Sequence, residues 1–167
     1  HNPLTVLGAQ VSDEKLAGIR GDELAELLPH FGACVCECDG ARGLPLKAHN
    51  QRDPVVPEFA GQAIVLVGAD VVGTTISDGL VHRAELFCQK WSVSLDRSLD
   101  AAFVAEVVTS PNGYLQKIPA TIPVSYLVNK ADGYSDQAVQ LGRAISERTD
   151  SAVWIGSIRN GWLEQLQ

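Results

Sequence analysis

Residues 124–139, VSYLVNKADGYSDQAV, decide how the chain is read: five residues dominated by Val, Tyr and Leu stop abruptly at Asn129, Lys130 and Asp132. A short apolar run that ends in polar groups and then a helix-like pattern predicts a buried strand feeding a helix. Working outward, QAIVLVGAD (62–70) and SAVWIGS (151–157) read as two more buried strands, and LTVLGAQV (4–11) and GACVCECDG (32–40) as two shorter ones. Helical patterns fall between them, from Asp22 and over 77–91, 98–109 and 135–148. Strands alternating with helices predict a three-layer α/β fold, a mostly parallel sheet with helices on both faces, in one domain over 1–167. The segment 41–59, with three of the eight prolines, reads as a long ordered loop.

In an open parallel sheet, ligands bind beyond the carboxyl ends of the strands, where residues 129–132 fall. A carboxylate there is an acceptor fork suited to the ring N–H and exocyclic amine of guanine. An Asn amide can meet the other polar edge of the base, and a Lys stem can lie along its plane. Asn129, Lys130 and Asp132 therefore read as base contacts in the Asn-Lys-x-Asp pattern of GTPases, with Gly156 and Ser157 of IGSIRNG completing the pocket. The alternative is a polar strand-to-helix turn with Asp132 or Ser135 as the cap.

On a strand of period two, Glu37 and Asp39 share one face and Cys34, Cys36 and Cys38 the other. Asp39, followed by Gly40, has the layout of a Walker B carboxylate, and Glu37 beside it would be buried and in need of a cation. Both are expected at Mg²⁺; the alternative is that Asp39 merely caps a turn and Glu37 faces solvent at an edge. Cysteines two apart on an extended strand stand about 6.6 Å apart, too far to bridge. Three thiols on one face could hold a soft metal, but their first reading is as small buried hydrophobes.

Composition removes other classes. A formal net charge of −7, a pI near 5.0 and no cluster of Lys or Arg argue against a nucleic-acid partner. The apolar runs stop well short of the roughly 20 residues of a membrane span. No secretory signal opens the chain, so a cytoplasmic setting is expected. A chain that begins with His1 and contains no Met is expected to be a piece of a longer protein.

Taken together, CECDGARGLPLKAHNQRDPVVP (36–57), GLVHRAELF (79–87), YLVNKAD (126–132) and VWIGSI (153–158) resemble the YqeC family, described as selenium-dependent hydroxylase accessory proteins. The resemblance implies a P-loop NTPase-like fold, GTP or GDP with Mg²⁺ as ligands, and a nucleotide-dependent role in maturing molybdenum hydroxylases. It also implies a departure: a Gly-Lys-Thr phosphate loop ahead of this region is absent here, and a first strand with it. Arg42, Lys47 and His49, clustered with Asp53 in the loop, and His82, Arg83 and Glu85 within one helical turn, are candidates for a second substrate or a partner. Their alternatives are a proline-pinned connector and a solvated helix start. A non-catalytic docking module and a nucleotidyl or cofactor transferase acting on a molybdopterin-like substrate are the competing functions.

Overall fold

The computed structural model describes residues 5, 7–12 and 15–166. The chain divides into two units, His1–Glu37 and Cys38–Gln167. In the first, β1 (Ala9–Ser12) and β2 (Lys15–Ala17) pair antiparallel, and α1 (Gly21–Leu27) follows. The Glu23 carboxylate folds back over the start of α1, accepting from the Arg20 N–H at 3.2 Å. Part of the expected strand at 4–11 lies outside the described residues.

The second unit is built on a four-stranded sheet in the order β4 (Ala63–Gly68), β6 (Val124–Asn129), β7 (Val153–Ser157) and β8 (Trp162–Gln165). The first three strands run parallel, and β8 closes an antiparallel hairpin on β7. Two-residue strands β3 (Leu46–Lys47) and β5 (Val81–His82) form a separate parallel pair. The Gly68 N–H donates to the Pro45 carbonyl at 3.1 Å, which ties the start of β3 to the end of β4.

One sheet face carries the core. Val65, Val67, Tyr126, Val128, Val153 and Ile155 alternate inward along their strands and are buried with Phe103, Val104, Val107 and Val108 of α3 (Ala101–Thr109) and Ala138, Leu141 and Ile145 of α4 (Ser135–Ser146). Asp100 caps α3 by accepting from the Phe103 N–H at 2.8 Å. Gly142 lets α4 approach β7 closely: a Cβ there would stand 3.0 Å from Ile155 Cγ2.

Four expectations are corrected. The opposite sheet face is not uniformly covered, because Ile64 and Leu66 of β4 are 63% and 48% exposed. Residues 32–40 form no strand, because no neighbouring segment hydrogen-bonds to them as a ladder; an alternating pattern does not pair by itself. The helix expected over 77–91 is only α2 (Ala84–Trp91). Ahead of it, the left-handed backbone of Gly79 (φ 79°) and Arg83 (φ 62°) makes two breaks that isolate β5. The loop over 41–59 is ordered by pairing as well as by proline, since β3 lies within it.

Candidate functional site

Parallel pairing places Gly68 opposite Asn129, so the ends of β4 and β6 share one edge. Just beyond, Lys130 takes a left-handed backbone (φ 69°), and its Nζ reaches across to donate to Asp70 Oδ2 at 2.6 Å. The Asp70 carboxylate folds back over Gly68, where a Cβ would fall 2.3 Å from Oδ1, so this position requires glycine. Oδ1 is buried and has no hydrogen-bond partner among the described residues. Asp70 went unrecognised as a site residue because it reads as the end of an apolar strand; its place at the tip of a parallel strand was the available signal.

The loop after β7 closes onto the same edge. The Ala131 N–H donates to the Gly156 carbonyl at 3.0 Å, and Asn129 Oδ1 accepts from the Ile158 N–H at 3.0 Å. Asp132 is exposed; its Oδ2 accepts from Asn160 Nδ2 at 3.0 Å, while its Oδ1 has no hydrogen bond among the described residues. Ser157 is buried and turned inward, accepting from the Asn160 N–H at 3.1 Å. Gly156 admits the hairpin, since a Cβ would lie 2.3 Å from the Trp162 carbonyl oxygen. Asn129, Lys130, Asp132, Gly156 and Ser157 are thus brought together. Asp132 does not act as the helix cap, since Tyr134 holds that position without a side-chain bond.

A second cluster is held between β3, β5 and the loop. Lys47 is 2% exposed, and its ammonium donates to the Gly40 carbonyl at 2.8 Å, lies 3.2 Å from Asp39 Oδ2 and pairs with Asp53 Oδ2. Arg83 donates to both oxygens of Asp53 at 2.9 Å and to the Ala48 carbonyl at 3.1 Å. His49, also buried, contacts Asp39 Oδ2 through Nε2, and its Nδ1 has no hydrogen-bond partner among the described residues. The Tyr114 hydroxyl accepts from the Lys47 N–H at 2.9 Å, and its ring lies 4.5 Å from the His49 ring.

Burial works to raise the Asp53 pKa, but hydrogen bonds from Lys47, Asn50 and Arg83 overcome it and hold the carboxyl well below its ordinary range. Asp39 is lowered for the same reason: burial opposes, and the His49 bond with the His49 and Lys47 charges wins. His82 is lowered by burial, then by the nearby charges of Arg83, Lys47 and Arg42. Burial raises the Tyr114 hydroxyl strongly.

This geometry revises several expected roles. Lys47 is saturated by Asp39, Asp53 and Gly40, so it holds the loop together and offers no free donor to a substrate. Asp39 already faces an ammonium and an imidazole, and Glu37 is exposed on an irregular segment. The pair does not fit a Mg²⁺ site. His82 lies in β5 and exposed Glu85 in α2, so they share no helical turn. Arg42, exposed with a left-handed backbone (φ 54°), has no hydrogen bond or ion pair among the described residues.

The family model described as "YqeC protein" matches residues 1–85, half of the chain. The chain belongs to the YqeC family. "Uncharacterized protein YqeC" of Escherichia coli K12 is 25% identical over 133 residues, covering 78% of this chain and 52% of its own length. The chain therefore spans about half the length of that relative. No solved structure matches this YqeC chain. No helix among its described residues is long and apolar enough to cross a membrane.

Proposed function

We propose that this YqeC chain carries a guanine-nucleotide site at the carboxyl edge of β4, β6 and β7, in a P-loop NTPase-like fold, and serves maturation of molybdenum hydroxylases as a GTP-dependent accessory protein. The observation that supports the reading best is the meeting of Asn129, Asp132 and the Gly156–Ser157 loop on one edge, with an acceptor oxygen of Asp132 left open. That oxygen can take a guanine N–H, and the Asn129 amide nitrogen can serve an acceptor on the same base. The stem of Lys130, anchored by Asp70, would lie along the base plane. Mg²⁺ travelling with the phosphates belongs to the same proposal. Hydrolysis of GTP by the full-length protein belongs to the same proposal.

Calorimetric titration of the chain with GDP and ADP, with and without Mg²⁺, tests it. GDP should bind in preference to ADP, and Asp132→Ala should abolish the preference. Equal binding of the two, or none, refutes it. A second reading, a non-catalytic docking module for the hydroxylase, draws on a different observation. Ile64 and Leu66, together with Leu163 opposite Gly156, place exposed apolar groups on one sheet face. That reading expects no nucleotide binding from the folded protein.

A further inference from the structure

The segment that fails to form a strand brings two thiols together. Cys34 Sγ and Cys36 Sγ lie 3.8 Å apart, both residues are exposed, and Val35 between them is 96% exposed. On a pleated strand the pair would stand about 6.6 Å apart and be locked by the ladder. Residues 33–40 carry no helix or strand, so the backbone is not held in that geometry. Closing the sulfurs to a disulfide requires an approach of about 1.8 Å, since the bond is roughly 2.0 Å long.

We propose that Cys34 and Cys36 form a thiol–disulfide exchange site whose co-reactant is a small-molecule disulfide. The thiolate of one cysteine attacks a sulfur of that disulfide, forming a mixed disulfide and releasing one equivalent of the small thiol. The second cysteine, as its thiolate, attacks the protein sulfur of the mixed disulfide. A Cys34–Cys36 disulfide forms, and the second equivalent of small thiol leaves. Two protein thiols are oxidised, one disulfide is reduced to two thiols, and the protons end on the released thiols. The reaction reverses in excess small thiol. Burial, followed by the neighbouring Asp39 charge, raises the Cys38 thiol pKa, which lowers its thiolate fraction. The inference is independent of the nucleotide reading.

The test is intact-mass analysis of the reduced chain after incubation with oxidised glutathione, with the free thiols then alkylated, on the parent and on Cys34→Ser, Cys36→Ser and Cys38→Ser. The parent and Cys38→Ser should lose two hydrogens and retain no glutathione, and dithiothreitol should restore them. Cys34→Ser and Cys36→Ser should instead accumulate a glutathione adduct. Circular dichroism confirms that each variant keeps its fold. Stable double adducts on the parent, or no reaction, would overturn the proposal. So would an internal disulfide retained in Cys34→Ser, which would assign the pair to Cys36 and Cys38.

Discussion

Replacing Lys47 with methionine removes the ammonium on which both carboxylates of the second cluster depend, while keeping an unbranched side chain in its buried place. Three contacts vanish together: the bond to the Gly40 carbonyl at 2.8 Å, the approach to Asp39 at 3.2 Å and the pair with Asp53. Breaking a buried pair from one side costs about 3–5 kcal/mol, because a charge is left behind without its partner. Here Arg83 still holds both oxygens of Asp53 and His49 still contacts Asp39, which places the expected loss near the lower end, at about 3 kcal/mol. Urea unfolding followed by tryptophan fluorescence gives the value, provided the dependence on denaturant keeps its slope. A double-mutant cycle with Asp53→Asn isolates the pair, and a coupling of about 2 kcal/mol is expected from side chains in direct contact. A loss below about 1 kcal/mol, or no coupling, would refute the claim that Lys47 pins this loop, since that is the size of an exposed ion pair.

Three further outcomes follow from the same structure. Tyr114→Phe removes the acceptor of the buried Lys47 N–H and should cost about 1–3 kcal/mol in urea unfolding, with the core otherwise unchanged. Gly156→Ala sets a Cβ against the backbone of the β7–β8 hairpin and should lower the thermal midpoint, whereas Gly133→Ala, in open space, should change it little. The pH dependence has a definite sign: Asp39, Asp53 and His82 all have lowered pKa values, so the folded chain binds fewer protons than the unfolded one and stability rises with pH. Stability from His82 is complete above about pH 6.5 and declines as pH falls from there through its folded pKa. That from the two carboxylates declines only as pH falls below about 4. Urea midpoints between pH 3 and 8 should show both stages, and His82→Gln should remove the first alone.

The parallel sheet was legible because β4, β6 and β7 are short apolar runs with turn-forming polar or glycine ends, a pattern that survives without knowledge of partners. The edge after β6 was legible for the same reason: the change from Val128 to Asn129 marks the strand end on sequence grounds alone. Cys34 to Asp39 misled, because alternation describes what a strand would present and says nothing about whether another strand will pair with it. The charge cluster was legible only as a list of residues. Lys47 and Arg83 meet on Asp53 through β3–β5 pairing and the left-handed turn at Arg83, and neither two-residue strand leaves a periodic signal. Asp70 escaped notice because its partner Lys130 lies 60 residues away, across two parallel strands.

The base-reading claim rests on the carboxylate of Asp132, and exchanging it for an amide tests it most directly. In guanine, donors face that acceptor; in xanthine, one of those positions is a carbonyl, which an Asn amide can meet as a donor. Titration of the chain and of Asp132→Asn with GDP and with xanthosine diphosphate should show GDP preferred by the first and the xanthine nucleotide by the second. Discrimination of about tenfold or more is expected from a site whose polar groups would otherwise go unpaired. An Asp132→Asn protein that keeps the parent's preference, or a parent chain indifferent to the base, would contradict the assignment of this edge as a guanine site.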